Sequence, residues 1–236
     1  MPPTVTEPFQ RLATEYYDCG HLHGFFLGLA DEAAFQNPDD YVRLHARLAE
    51  MLHARVADTF LTYVSQLFAL IFTTCPGSLC FRYDKEPEPT IELSSVIEHE
   101  SIDELLAYVA NDRVHRISYQ GLRKMNTLVQ NQLDFELFPS SEDLSRAVLI
   151  VEARNLIAHN YAIVNDVYLR RTHDSTKSIG DRLIINTSSI TGDATFLNKI
   201  ARDIDARAIA KWHLPSIDVL PPSLDQADDH DGHVPK

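Results

Sequence analysis

Hydrophobic positions recur every three or four residues through most of the chain, which is the period of an α-helix. Asp39 and Asp40 can cap the longest such segment at its start, and Pro76 and Gly77 end it. Its apolar positions step by four residues: Leu44, Leu48, Leu52, Val56, Phe60, Val64 and Phe68. The pattern therefore predicts one long core helix that ends near Cys75.

Shorter helices are predicted from capping residues and apolar spacing. Ser101 and Glu104 have the spacing of a capping box and precede an apolar stretch, so a helix begins there. Another helix is predicted from about Tyr119 to Leu133. The last predicted helix buries Leu197, Ile200, Ile204, Ala208 and Trp212. Together these elements predict an all-α helical bundle.

A second capping box, Ser140 to Asp143, opens a helix that is predicted to run to about Arg171. Stepping by four along it gives Ala147, Val151, Asn155, His159, Ile163 and Val167, so two polar residues interrupt an apolar face. A buried polar group without a partner costs roughly 1 to 3 kcal/mol. This face is therefore predicted to meet a partner molecule, water, or a second copy of itself across a symmetry axis.

Residues 154–161 of this helix read RNLIAHNY and carry the candidate chemistry. Arg154, Asn155 and His159 combine a permanent cation, an amide and a titratable imidazole, which suits cleavage of an RNA phosphodiester. The alternative is structural, because a buried Asn and His can simply fix helix register. Arg154 favours the functional interpretation, since a guanidinium keeps its charge and normally occupies a buried edge only where an anion meets it.

The chain divides into three predicted segments. Residues 1–38 form an N-terminal extension, and residues 39–213 form the helical domain. After the helix that carries RNLIAHNY, a polar loop precedes a short extended segment, RLII. Residues 214–236 contain prolines and an acidic run without apolar period, so they are predicted to be a disordered acidic tail.

The net charge of −13 argues against nonspecific coating of nucleic acid, because each phosphate contact needs a cation. Basic residues nevertheless gather in two groups, Arg113, Arg116, Arg123 and Lys124, and Arg170, Arg171, Lys177 and Arg182. These groups leave room for a local cationic groove, although each alone is also typical of a solvated surface.

Cysteine usage and hydropathy favour a cytoplasmic protein. Cys19, Cys75 and Cys80 cannot all pair within one chain, and no charged leader precedes an apolar run. The longest apolar run, Leu67–Phe72, is far shorter than the roughly 20 residues of a membrane span, so no membrane anchoring is expected.

Metal ligands and cofactor motifs are not evident in the sequence. Cys19, His21 and His23 resemble a metal trio, but no fourth ligand is identifiable, so no metal site is predicted. No glycine-rich phosphate loop is present either, and no cofactor is expected.

The string EARNLIAHNYAIVNDVYL resembles the signature helix of the HEPN superfamily, the higher eukaryote and prokaryote nucleotide-binding domains. Its motif is an arginine, a polar residue directly after it, and a histidine separated from the arginine by four to six residues. Arg154, Asn155 and His159 match this motif. The resemblance covers about residues 40–213. It implies a HEPN-type helical bundle that forms a homodimer, in which two motif helices face each other.

The resemblance also implies a metal-independent endoribonuclease that cleaves RNA by 2′-hydroxyl transesterification, in defence or in toxin–antitoxin-like growth arrest. His159 would be the general acid or base, Arg154 would stabilise the phosphorane, and Asn155 would orient the imidazole or the phosphate. Arg154 and His159 lie about 140° apart on an ideal helix, so a second copy is expected to complete the site. The alternative function is a HEPN-type interaction and dimerisation module without turnover, which the acidic charge favours.

Tyr161 extends the resemblance to one branch of the family. In those toxins the motif continues to a tyrosine two residues after the histidine, and a partner nucleotidyltransferase modifies it with adenylate. Tyr161 matches this spacing, which implies a possible regulatory modification and an antitoxin or nucleotidyltransferase partner. The alternative is an ordinary packing or surface tyrosine.

Overall fold

The computed structural model describes residues 4–34, 37–80, 90–118 and 120–218, and the protein is all-α. The helices in these ranges follow one another as α1 (Glu7–Ala34), α2 (Pro38–Thr74), the short 3-10 helix η1 (Pro76–Cys80), α3 (Leu93–Glu98), α4 (Ile102–Ser118), α5 (Leu122–Leu133), α6 (Ser141–Asn160), α7 (Asp166–Thr172) and α8 (Thr187–Trp212).

Helix α2 lies at the centre of the bundle and packs against α1, α4, α6 and α8. The predicted apolar file is confirmed from Leu52 to Phe68, where its side chains are buried, whereas Leu44 is 56% exposed. The cap was assigned wrongly. Asn37 caps the helix, its side-chain oxygen accepting from the backbone N–H of Asp40, because Pro38 can open a helix at its first position.

The two capping boxes placed the starts of α4 and α6 correctly. Ser101 Oγ accepts from the backbone N–H of Glu104 at 3.2 Å, and Ser140 Oγ accepts from that of Asp143 at 3.3 Å. Helix α5 begins at Leu122, and Tyr119 lies outside the described residues. In α8, Leu197, Ile204 and Ala208 are buried, while Ile200 and Trp212 are partly buried.

The helix that carries RNLIAHNY ends earlier than predicted. It stops at Asn160, because Tyr161 and Ala162 both adopt left-handed backbone angles, with φ of 53° and 60°. The backbone N–H of Ala162 donates to the carbonyl of Leu156 at 2.9 Å. Asn165 then caps the separate helix α7. Consequently, residues 163 and 167 do not continue the face of Asn155 and His159.

An isolated antiparallel bridge follows this break. Ile163 pairs with Arg182, the first residue of the RLII segment. Leu156, Val164 and Tyr168 form a small second cluster of buried residues, against which Leu183 packs. The break therefore folds α7 and the following loop back against the end of α6.

Both ends of the described chain join the main core. Val5 pairs with Ile217 in an antiparallel bridge, and the Thr6 hydroxyl donates to buried Asp205 at 2.5 Å. Residues of α1, including Phe9, are buried in the same core as α2 and α8. The segment separated above as an N-terminal extension thus shares the core of the helical domain. Residues 219–236, most of the predicted tail, lie outside the described residues.

By length and composition alone, α2 could cross a membrane, since Asp39–Thr74 contains a window of mean hydropathy 1.4. Of that window, 56% is buried inside the bundle, and the central helix of a soluble core passes the same test.

Candidate active site

An open cavity of about 490 Å³ lies beside the C-terminal half of α6. Arg154, Asn155 and His159 all line it, together with residues of α2, α5 and α7. The three motif residues therefore meet at one cavity of a single chain. The angular separation of Arg154 and His159 on the helix does not, by itself, require a second copy to bring them to a common space.

Arg154 is held from two sides. Its Nε lies 2.6 Å from Oδ1 of Asp58 on α2, and its Nη1 donates to Oδ1 of Asn155 at 3.1 Å. The side chain is 26% exposed. The sequence predicted that an anion would meet this guanidinium, and in the free protein Asp58 does so. Its Nη2 makes no hydrogen bond within the described part of the chain, so one corner stays available to a ligand.

Glu152 is a buried carboxylate that lines the cavity. It accepts hydrogen bonds from Nδ2 of Asn155 at 3.1 Å and from Nη1 of Arg171 at 3.1 and 3.3 Å. Its side chain is only 6% exposed. Because the Asn155 amide donates to Glu152 and accepts from Arg154, its orientation is fixed. Asp58, Arg154, Asn155, Glu152 and Arg171 thus form one continuous polar network.

His159 is exposed, whereas Arg154 and Asn155 are half-buried. It lies in the last turn of α6, one turn beyond Asn155. Its imidazole has no hydrogen bond or ion pair with any residue that the structure describes. Both ring nitrogens are therefore accessible to a molecule in the cavity.

Two tyrosines near the site have different surroundings. Tyr161 is 80% exposed and does not line the cavity. Tyr168 does line it, and its hydroxyl lies 3.4 Å from Oδ2 of Asp174. Burial, and then the neighbouring Asp174 carboxylate, raise the pKa of Tyr168 to about 12. Tyr168 is consequently a neutral hydroxyl at physiological pH and can only donate or accept hydrogen bonds.

The two basic groups seen in the sequence contact each other through Arg123 of the first and Arg171 of the second. Nε of Arg123 donates to the carbonyl of Arg171 at 3.2 Å. Others of these arginines are paired with carboxylates, Arg116 with Asp112, Arg170 with Asp166 and Arg182 with Glu50. Arg154 and Arg171 line the cavity, and Arg123 lies next to it through its contact with Arg171.

Sequence reasoning missed Asp58, Glu152 and Arg171 as parts of the site. Glu152 had a usable signal, because it lies three residues before Asn155 and so on the same face of the helix. Arg171 appeared only as one of several surface charges. Nothing in the sequence around Asp58 pairs it with Arg154.

Among the residues that the structure describes, no group of three or more His, Cys, Asp or Glu side chains could hold a metal ion. Cys19 is buried, and this burial raises the pKa of its thiol. The network around the cavity contains two carboxylates, but each is engaged by an arginine.

No protein-family model, curated protein or solved structure matches this chain. The HEPN resemblance therefore rests on the residues around Arg154 to Tyr161 and on their helical setting.

Proposed function

We propose that this protein is a HEPN-type, metal-independent endoribonuclease. One observation carries the proposal: a guanidinium, an amide and an unengaged imidazole line the same open cavity. Arg154 and Asn155 are held in place by Asp58 and Glu152, so they are pre-organised for a ligand. His159 is accessible for proton transfer.

The chemistry follows from these three groups. The 2′-oxygen of a ribose attacks the neighbouring phosphorus, and His159 takes the proton of that hydroxyl or donates one to the departing 5′-oxygen. Arg154 and the remaining amide proton of Asn155 stabilise the charge on the phosphorane oxygens. The bond from phosphorus to the 5′-oxygen breaks, which leaves a 2′,3′-cyclic phosphate and a 5′-hydroxyl. DNA lacks the attacking hydroxyl and is inert.

Homodimerisation belongs to this proposal for a chemical reason. The reaction needs one group that accepts a proton and one that donates a proton, whereas each cavity contains one histidine. A second copy whose motif helix faces the first would supply its own His159. Light scattering should then give a dimer at micromolar concentration, and an active monomer would contradict this part of the proposal.

The test is cleavage of a panel of tRNA and mRNA in buffer that contains EDTA, followed by analysis of the ends. His159→Ala and Arg154→Ala should abolish cleavage with helicity retained. His115→Ala is the matched control, because His115 is an exposed helical histidine that does not line the cavity. Undiminished cleavage by His159→Ala would remove the catalytic assignment.

A second candidate is a HEPN-type interaction and dimerisation module without turnover. The network itself favours it, since Arg154 is engaged by Asp58 and Glu152 by Arg171 in the free protein. The net charge of −13 points the same way. A dimer that leaves every RNA of the panel intact, at protein concentrations well above the RNA, would support this function over the first.

Control through Tyr161 is the toxin-like part of the proposal. Its 80% exposure makes the hydroxyl accessible to a partner nucleotidyltransferase. An adenylate there would add a negative phosphate two residues from His159 and compete with RNA for Arg154. Intact-mass analysis after co-expression with the genetic neighbours should show an adenylate-sized increase that Tyr161→Phe lacks. If the mass does not increase in the presence of an active transferase, Tyr161 is excluded as the modification site.

A further inference from the structure

We propose that Arg171 forms a second phosphate-binding position, which holds the backbone of a single-stranded RNA next to the phosphate at Arg154. The ligand class rests on the proposed function, but the site is argued from contacts of Arg171 that the motif does not include. Arg171 belongs to α7, beyond the break at Tyr161, and lines the cavity.

The guanidinium of Arg171 is anchored at one corner and open at the others. Nη1 donates to both carboxylate oxygens of buried Glu152, at 3.1 and 3.3 Å. Nε and Nη2 make no hydrogen bond within the described part of the chain, and the side chain is 48% exposed. An arginine whose position is already fixed loses less conformational entropy when it binds an anion. Its open edge therefore suits a phosphate.

The spacing of the two arginines follows from the network that joins them. Glu152 bonds both Arg171 and Asn155, and Asn155 bonds Arg154, so one carboxylate and one amide separate the two guanidiniums. Arg123 adds a third cation, because its Nε donates a hydrogen bond to the backbone carbonyl of Arg171. A strand whose scissile phosphate meets Arg154 thus passes along the wall that Arg171 forms.

A single strand fits this arrangement better than a duplex. Because the Arg154 side chain is only 26% exposed, its phosphate must enter the cavity. Nucleotides of a single strand can be splayed out of their stack, whereas paired ones are held in it. The volume of about 490 Å³ is within the range of sites that enclose a small molecule.

The test measures binding of a short, fluorescent, single-stranded 2′-O-methyl RNA, which cannot be cleaved. Arg171→Gln alone would leave the buried Glu152 carboxylate without its positive partner. The comparison is therefore between the single variant Glu152→Gln and the double variant that carries both Glu152→Gln and Arg171→Gln. Removing one phosphate contact should make the negative slope of log affinity against log salt about 0.7 less steep and weaken binding on the order of tenfold at low salt. Arg170→Gln is the matched control, because Arg170 lies on the same helix, pairs with Asp166 and does not line the cavity.

The expected result is a less steep salt dependence for the double variant than for Glu152→Gln, with Arg170→Gln at the value of the unmodified protein. The site would be overturned if the double variant had the same salt dependence as Glu152→Gln, or if Arg170→Gln changed the salt dependence by the same amount. Equal affinity for a 2′-O-methyl duplex would overturn the single-strand assignment. Because the probe is not cleaved, altered binding by a protein that cuts no RNA leaves this site standing and removes only the proposed reaction.

Discussion

Replacing Arg171 by glutamine should destabilise the fold far more than the same change at Arg170. Glu152 has 6% of its side chain exposed, and Arg171 supplies the only positive charge bonded to it among the described residues. Without Arg171, the carboxylate keeps a single donor, the amide of Asn155. Breaking a buried pair typically costs about 3 to 5 kcal/mol. Arg171 is itself 48% exposed, so water can partly replace it, and we expect a loss of about 2 to 3 kcal/mol.

The assay is urea unfolding at pH 7, followed by circular dichroism at 222 nm. Arg170→Gln should cost less than about 0.5 kcal/mol, since its ion pair with Asp166 is 69% and 65% exposed. Adding Glu152→Gln to Arg171→Gln should recover at least half of the loss, because no buried charge then lacks a partner.

Two results would refute the reasoning. One is an Arg171→Gln protein as stable as Arg170→Gln, which would mean that solvent reaches Glu152. The other is a Glu152→Gln, Arg171→Gln double variant that is no more stable than Arg171→Gln alone. The loss of stability would then come from the packing of the arginine stem and not from a buried carboxylate without a positive partner.

Three further predictions concern stability. Burial lowers the pKa of His53, and the hydrogen bond with the Ile150 carbonyl and the nearby Asp193 carboxylate only partly offset this effect. The unfolded chain therefore binds a proton at a higher pH than the folded protein does, so stability should fall as the pH drops below 6.5. The fall should be less steep in His53→Gln, as measured by urea midpoints between about pH 7.5 and 5. Thr6→Val removes the hydroxyl that donates to buried Asp205 and should cost about 1 to 3 kcal/mol; a loss below about 0.5 kcal/mol would show that this contact contributes little. Tyr161→Gly should raise stability by up to about 1 kcal/mol, because glycine accepts the left-handed backbone and the lost side chain is 80% exposed; a lower melting temperature would contradict this.

Local signals explain which parts of the fold were predictable. The four-residue apolar file of α2 and the capping boxes at Ser101 and Ser140 act within a few residues, so they can be recognised without tertiary information. The end of α6 could not be recognised in this way. A left-handed helix end usually carries glycine or asparagine, whereas here a tyrosine and an alanine adopt that conformation.

In the candidate site, too, the local features were predictable and the tertiary contacts were not. Arg154, Asn155 and His159 are close in sequence, and a helix brings their positions within two turns of one another. Asp58 reaches Arg154 only through the packing of α2 on α6, which no local pattern encodes. The three motif residues could therefore be recognised from the sequence, whereas tertiary structure determined which carboxylates contact them.

The break after Asn160 is what joins Arg171 to the site. Glu152 and Arg171 are 19 residues apart, so on one continuous helix they would lie about 28 Å from each other along the axis. With the helix ended at Asn160, α7 folds back against α6, and the two side chains meet at 3.1 Å. Each left-handed residue costs on the order of 1 to 2 kcal/mol, which the Glu152–Arg171 contact and the cluster around Tyr168 offset. The same two residues that made the end of α6 unpredictable therefore bring Arg171 to the cavity.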